Sequence, residues 1–130
     1  IITADTIVFR DGKLYGKPTT ESEAFQMFSE LVGNWHTVYT GVAVQSGNSV
    51  YTQVESTGVL FNALSPEQIR HYMTHIPWAD KSGGYTIQWA GGLIVNRIEG
   101  CYYNVVGLPI NALCVLLNQI GIDLWKHLIR

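Results

Sequence analysis

From Ile1 to Arg10 apolar side chains fall on both alternating faces, Ile1, Ile7 and Phe9 on one and Ile2 and Val8 on the other. That pattern predicts a strand covered on both sides. Asp11-Gly12 is a hairpin turn signal, Lys13 to Gly16 is the short return, and Pro18 blocks its continuation. Thr20-Glu21-Ser22-Glu23 reads as a capping box, followed by Ala24, Phe28, Leu31 and Val32 on one helical face, with Gly33 as the stop. Trp35 to Val44 and Ser49 to Phe61 are β-rich runs about the turn Ser46-Gly47-Asn48, predicting an antiparallel hairpin. Ser65-Pro66-Glu67-Gln68 starts a second helix that buries Ile69, Tyr72, Met73 and Ile76. Pro77 to Gly84 reads as a loop, and Leu93 to Ile98 as a strand between Gly91-Gly92 and Gly100. Pro109 opens a last long helix with the stripe Leu113, Leu116, Leu117 and Ile120, ended by Gly121, and Asp123 to Arg130 adds a short turn or tail. The order β-β-α-β-β-α-β-α predicts an α/β or α+β domain with a mixed sheet and flanking helices.

Composition narrows the classes. The 130 residues are 47% apolar and 14% charged, which excludes disorder and suits one domain. With 8 Lys+Arg against 10 Asp+Glu and no basic run, nothing suggests a nucleic-acid partner. The longest strongly apolar stretch, Ala112 to Leu117, is far short of the ~20 residues of a membrane helix. No charged segment followed by an apolar one opens the chain, so the expected setting is the cytoplasm, with no membrane partner. Cys101 and Cys114 make no disulfide framework and read as free thiols. The chain begins with Ile-Ile rather than Met, in what already looks like a strand, so its natural start is expected upstream.

Asp5 is the sharpest anomaly, a carboxylate within an apolar strand, where leaving it unpaired would cost several kcal/mol. Lys17, between Gly16 and Pro18, and Lys81, before Ser82-Gly83-Gly84, are the cations in the most loop-like settings. Two lysines with a buried carboxylate suit an anionic, metal-bound ligand such as a polyphosphate. Neither glycine fingerprint for phosphate is present, and Gly91-Gly92 precedes a strand rather than a helix. His71 and His75 have metal-ligand spacing on a helix, but without a third ligand they read as a surface pair. His36, beside Trp35 in a strand, reads as a structural hydrogen-bonding group. The four tryptophans read mostly as core or interface residues, with Trp89, beside Gln88, able to flank a pocket.

Five ordered blocks add to this reading: Ala4-Asp5-Thr6, Gly16-Lys17-Pro18, Gly33-x-x-His36-x-Val38-x-Thr40-Gly41, Asp80-Lys81-Ser82-Gly83-Gly84-Tyr85-x-Ile87-Gln88, and Ile98-Glu99-Gly100-x-Tyr102-x-Asn104-Val105-Val106-Gly107-Leu108-Pro109. Together they resemble the Maf family of septum-formation-like nucleoside triphosphate pyrophosphatases, from about Ile1 to about Gly121. The resemblance implies a two-lobed fold around a central cleft, often dimeric. It also implies hydrolysis of a nucleoside triphosphate between the α and β phosphates, as a house-cleaning activity. Asp5 would be the general base and a ligand of Mg²⁺ or Mn²⁺, and Lys17 and Lys81 would stabilise charge on the phosphates. Thr6 after the Asp and Gln88 after Tyr-x-Ile resemble the dTTP/UTP branch, whereas the 7-methyl-GTP branch tends to carry Gln and Glu there.

The chain departs from the family pattern in two places. Members open with a strand and a Ser-x-Ser-Pro-Arg-Arg loop that these residues do not contain, so the expectation is a single domain lacking an N-terminal segment. Trp89 stands where Gly is usual, and would either narrow the base pocket or pack beneath it. The competing readings are a non-catalytic nucleotide-binding or septum-related interaction module and, third, a metal-binding protein through His71 and His75.

Overall fold

The computed structural model describes residues 1–129. Its centre is a five-stranded sheet in the order β2-β1-β3-β4-β5, built from β1 (Ile2–Arg10), β2 (Lys13–Tyr15), β3 (Trp35–Ser46), β4 (Ser49–Phe61) and β5 (Val95–Glu99). All four pairings are antiparallel, so the α+β class holds while the expected mixed sheet does not. Short hairpins, not crossover helices, join β1 to β2 and β3 to β4, and a hairpin can only give antiparallel neighbours. Asp11 and Gly12 both take positive φ (48° and 77°), as the right-handed twist of a two-residue hairpin demands. Trp35 through Ser46 pairs without a break against Leu60 back to Ser49, making one long ribbon.

The helices follow the capping signals closely. Helix α1 (Glu21–Leu31) begins where the Thr20 hydroxyl accepts from the Glu23 amide. The expected reciprocal bond is displaced by one residue, because the Glu23 carboxylate accepts from the Thr19 amide and hydroxyl instead. Helix α2 (Pro66–Met73) has the full box, with Ser65 and Gln68 bonded in both directions. The predicted strand over Leu93–Ile98 is shorter than expected. Gly91–Ile94 forms a single helical turn, α3, and the chain straightens only at Val95. Helix α4 (Tyr102–Val106), which periodicity could not reveal in five residues, precedes α5 (Ile110–Gln119). The Pro77–Gly84 loop carries two 3₁₀ turns, Trp78–Asp80 and Ser82–Gly84.

One face of the sheet carries two apolar clusters, one toward each end of β3. The larger packs Val8, Val38, Val59 and Phe61 against Phe28 and Leu31 of α1 and Ile69 of α2. The smaller packs Val42 and Val44 against Leu113, Leu116 and Leu117 of α5. A Phe28→Ala change would open a cavity costing about 3–5 kcal/mol, since Phe28 is fully buried. Between the clusters the same face turns polar, with Thr40, Thr57 and Asn104 all buried. The polar strip separates the two clusters, and the cavity described below borders it at Thr6. The opposite face is bare: Trp35 and Val54 are exposed there, and so is Ile7. The expected two-sided cover of β1 is therefore absent over residues 1–5, which are exposed on both faces. No described helix is long and apolar enough to cross a membrane.

Candidate active site

A cavity of about 240 Å³ opens between β1, the turn after β2, the Pro77–Gly84 loop and α4. Asp5, Lys17, Lys81, Thr6 and Gln88 all line it, together with Asp80. Five residues spread over more than eighty positions of sequence are thus brought to one place. The cavity reaches β1 beyond Val8, where β2 no longer pairs with it, so Asp5 borders it as well as its alternating neighbours Ala4 and Thr6. The Asp5 carboxylate is not buried. The residue is exposed and its Oδ1 accepts from the Thr6 amide at 3.1 Å, so the desolvation cost expected from its apolar surroundings does not arise. Lys17 is likewise exposed, and Lys81 half-buried.

The loop that carries Lys81 is clamped to both other parts of the site. Ser82 Oγ donates to the Thr6 carbonyl at 2.7 Å, and the Gly83 amide donates to the Gly16 carbonyl at 3.0 Å. One turn therefore holds the Asp5 strand and the Lys17 turn in fixed relation. Gly83 can do this because its φ is +73°, and an added Cβ would lie 3.2 Å from Val8 Cγ2.

Thr6 belongs to a buried polar chain. Thr40 Oγ1 donates to the Asn104 carbonyl (3.2 Å) and lies 2.9 Å from Thr6 Oγ1, so the Thr6 hydroxyl is the donor of that pair. Asn104 Nδ2 donates to the Val38 carbonyl and to Thr57 Oγ1, tying α4 to β3 and β4. Asn104 Oδ1 has no partner among the described residues. Sequence reasoning assigned no role to Thr40, Asn104, Ser82 or Asp80. The available signal was an asparagine and a threonine set in otherwise apolar runs.

Tyr85 is the floor of the cavity. Its hydroxyl lies 2.7 Å from His36 Nε2, and both rings pack edge-on against Phe61. Burial pushes the His36 pKa down to about 4, with the Arg10 charge adding to the effect, and pushes the Tyr85 phenol up. The pair is therefore neutral, a structural support, as expected for His36. His71 and His75 are exposed and stacked with ring centroids 5.0 Å apart, away from this cavity. Neither packs beside a third ligand, for no cluster of three or more His, Cys, Asp or Glu is present among the described residues. No tryptophan is fully buried, and Trp89 neither fills the cavity nor packs beneath it, being 95% exposed.

A divalent metal would find few protein donors here, since no cluster of three or more His, Cys, Asp or Glu stands among the described residues. The Asp5 and Asp80 carboxylates suit a Mg²⁺-like ion that keeps waters and shares phosphate oxygens with its ligand, not a cage built by protein alone.

A family model described as Maf-like protein matches residues 1–120. A dTTP/UTP pyrophosphatase of Caldicellulosiruptor bescii is 44% identical over 128 residues, covering 97% of this chain and 64% of the relative. One from Clostridium perfringens is 46% identical over 126 residues (95% and 66%), and one from Thermosipho melanesiensis 48% identical over 117 residues (90% and 64%). The chain thus spans somewhat less than two thirds of the length of these curated relatives. With the matched region covering every residue of the cavity, the chain belongs to the Maf family.

Proposed function

We propose that the protein formed by these residues is a nucleoside triphosphate pyrophosphatase, releasing diphosphate and a nucleoside monophosphate from dTTP or UTP. The observation that carries this reading is the convergence of Asp5, Lys17 and Lys81 on one small polar cavity. Its support in the comparisons is that the relatives named above are dTTP/UTP pyrophosphatases.

In this reading Asp5 orients a water toward the α-phosphorus and takes its proton, which its exposed carboxylate is free to do. Lys17 and Lys81 face the phosphate oxygens, where charge-assisted contacts stabilise the developing negative charge. Mg²⁺ or Mn²⁺, held by Asp5 with Asp80, would supply further neutralisation of the phosphates. Thr6 offers only acceptor lone pairs, its proton being spent on Thr40. The Gln88 amide can both donate to and accept from a pyrimidine edge. The domain would act in the cytoplasm, as a homodimer, without nucleic acid or membrane as partner.

The test is diphosphate release from a panel of nucleoside triphosphates with Mg²⁺ or Mn²⁺, using this chain and the complete reading frame that encodes it. Turnover of dTTP or UTP in preference to purine nucleotides is expected. Binding of triphosphates without turnover in either form would instead favour a non-catalytic nucleotide-binding module.

A further inference from the structure

We infer that the Trp89 indole is a stacking platform for the base of the bound nucleotide; this rests on the function proposed above and deepens it. The first ground is backbone strain. Among the described residues only two that are not glycine have positive φ, Asp11 at 48° and Trp89 at 57°. Asp11 sits in a hairpin turn that calls for that conformation, and aspartate tolerates it. A bulky aromatic residue does not, and glycine would occupy the position freely.

The strain is locked in by its surroundings. The Tyr72 hydroxyl holds both main-chain groups of Thr86, donating to its carbonyl at 3.2 Å and lying 3.1 Å from its amide. Gly91 then passes so close to Thr86 that an added Cβ would stand 2.1 Å from the carbonyl oxygen. The Gly91 and Gly92 amides donate to Gln88 and Trp89 carbonyls, closing the turn. These bonds hold the backbone, but the indole itself is 95% exposed and gains almost no packing against the described residues. Strain of this kind, uncompensated by packing, points to a contact made with something outside the chain.

The second ground is size. The cavity, about 240 Å³, falls below the roughly 300–1,000 Å³ of sites that enclose a drug-sized ligand. Its charged side chains suit the phosphates, which leaves the nucleoside to pass over the rim. Gln88 forms that rim and Trp89 is the next residue. Among the described residues the cavity offers no stacking surface: Tyr85 is the one aromatic lining residue there, buried and engaged with His36. An exposed indole beside a base-reading amide provides what is missing.

The test compares Trp89→Gly and Trp89→Phe with the unaltered chain, titrated calorimetrically in Mg²⁺ with α,β-imido-dUTP, which resists cleavage, and with inorganic tripolyphosphate. Trp89→Gly is expected to weaken nucleotide binding by about tenfold or more and to leave tripolyphosphate binding unchanged, while Trp89→Phe recovers most of the loss. The share of nucleotide-induced fluorescence quenching that comes from the Trp89 indole should be lost in both variants. The melting temperature of Trp89→Gly should not fall, since glycine accepts the backbone conformation. Equal nucleotide affinity in Trp89→Gly, or equal loss for both probes, would overturn the inference and leave the indole as a contact for a protein partner. Failure of both this chain and the complete reading frame, unaltered, to bind either probe would overturn the functional reading itself, and the inference with it.

Discussion

Two cavities of this molecule teach opposite lessons about size. The one between α2 and α3 has a volume of about 680 Å³, against about 240 Å³ for the one at β1. It is mostly apolar, lined by Leu64, Tyr72, Leu93 and Ile94. Its carboxylate and imidazoles, Glu67, His71 and His75, all come from α2 and the turn after it, and lie four residues apart because a helix repeats. The smaller cavity draws Asp5, Lys17, Lys81 and Gln88 from separate segments, none of which periodicity would bring together. Hydrogen bonds from Ser82 and Gly83 hold those segments in place. Convergence from distant sequence, not volume, distinguishes a site built for chemistry.

The contrast can be broken most sharply at Asp5. Asp5→Asn keeps shape and removes the proposed base, so under the proposed function diphosphate release should fall by about 10²–10⁴-fold. Because the side chain is exposed, the circular dichroism melt should hardly move. A collapsed melt would make Asp5 a structural residue. Next, Lys81→Met should lower turnover by about 10²-fold, comparable to removing one charge-stabilising donor, and the loss should appear in kcat more than in KM. A change confined to KM would mean that Lys81 binds the ground state only.

The floor of the small cavity responds to acid. His36 is neutral in the fold, its pKa lowered from 6.5 to about 4 chiefly by burial. As pH falls below 6.5 the unfolded chain takes up a proton that the folded chain refuses. Stability is therefore lost between pH 6.5 and about 4 and levels off below, by up to about 3 kcal/mol. Urea unfolding across that window checks the slope, and a flat profile there would contradict the buried His36–Tyr85 pair. The smallest effect belongs to the large cavity. Removing its pair by His71→Ala and His75→Ala should leave metal content and turnover unchanged, with stability within about 0.5 kcal/mol per site. Lost metal, measured by elemental analysis, would revive the third reading considered from the sequence.

Much of the fold was legible locally. The turn at Asp11-Gly12, the caps at Thr20 and Ser65, and the long hairpin about Gly47-Asn48 rest on interactions a few residues apart, which composition and spacing encode directly. The same holds for the apolar stripe of α5. What failed were statements about neighbours. Asp5 looked buried because its strand is apolar, but whether a strand is covered depends on which other segments pack over it, and over residues 1–5 none does. The sheet looked mixed because element order leaves strand direction open; tight turns made β1–β2 and β3–β4 antiparallel, and packing set the same direction for β1–β3 and β4–β5. Leu93 suits a strand because a short apolar run fits either state; it lies instead in the helical turn Gly91–Ile94, whose first residue passes close to Thr86.

Of the site, the ordered blocks identified Asp5, Thr6, Lys17, Lys81 and Gln88 as residues of interest, since residue type and local context are properties of the sequence itself. Their meeting in one cavity, the clamp through Ser82, the polar chain through Thr40 and Asn104, and the strained exposure of Trp89 were decided by tertiary structure alone. The cavity, the clamp and the polar chain depend on contacts between segments dozens of residues apart, and the Trp89 turn on how Tyr72 and Gly91 close around Thr86; no periodicity or local propensity carries that information.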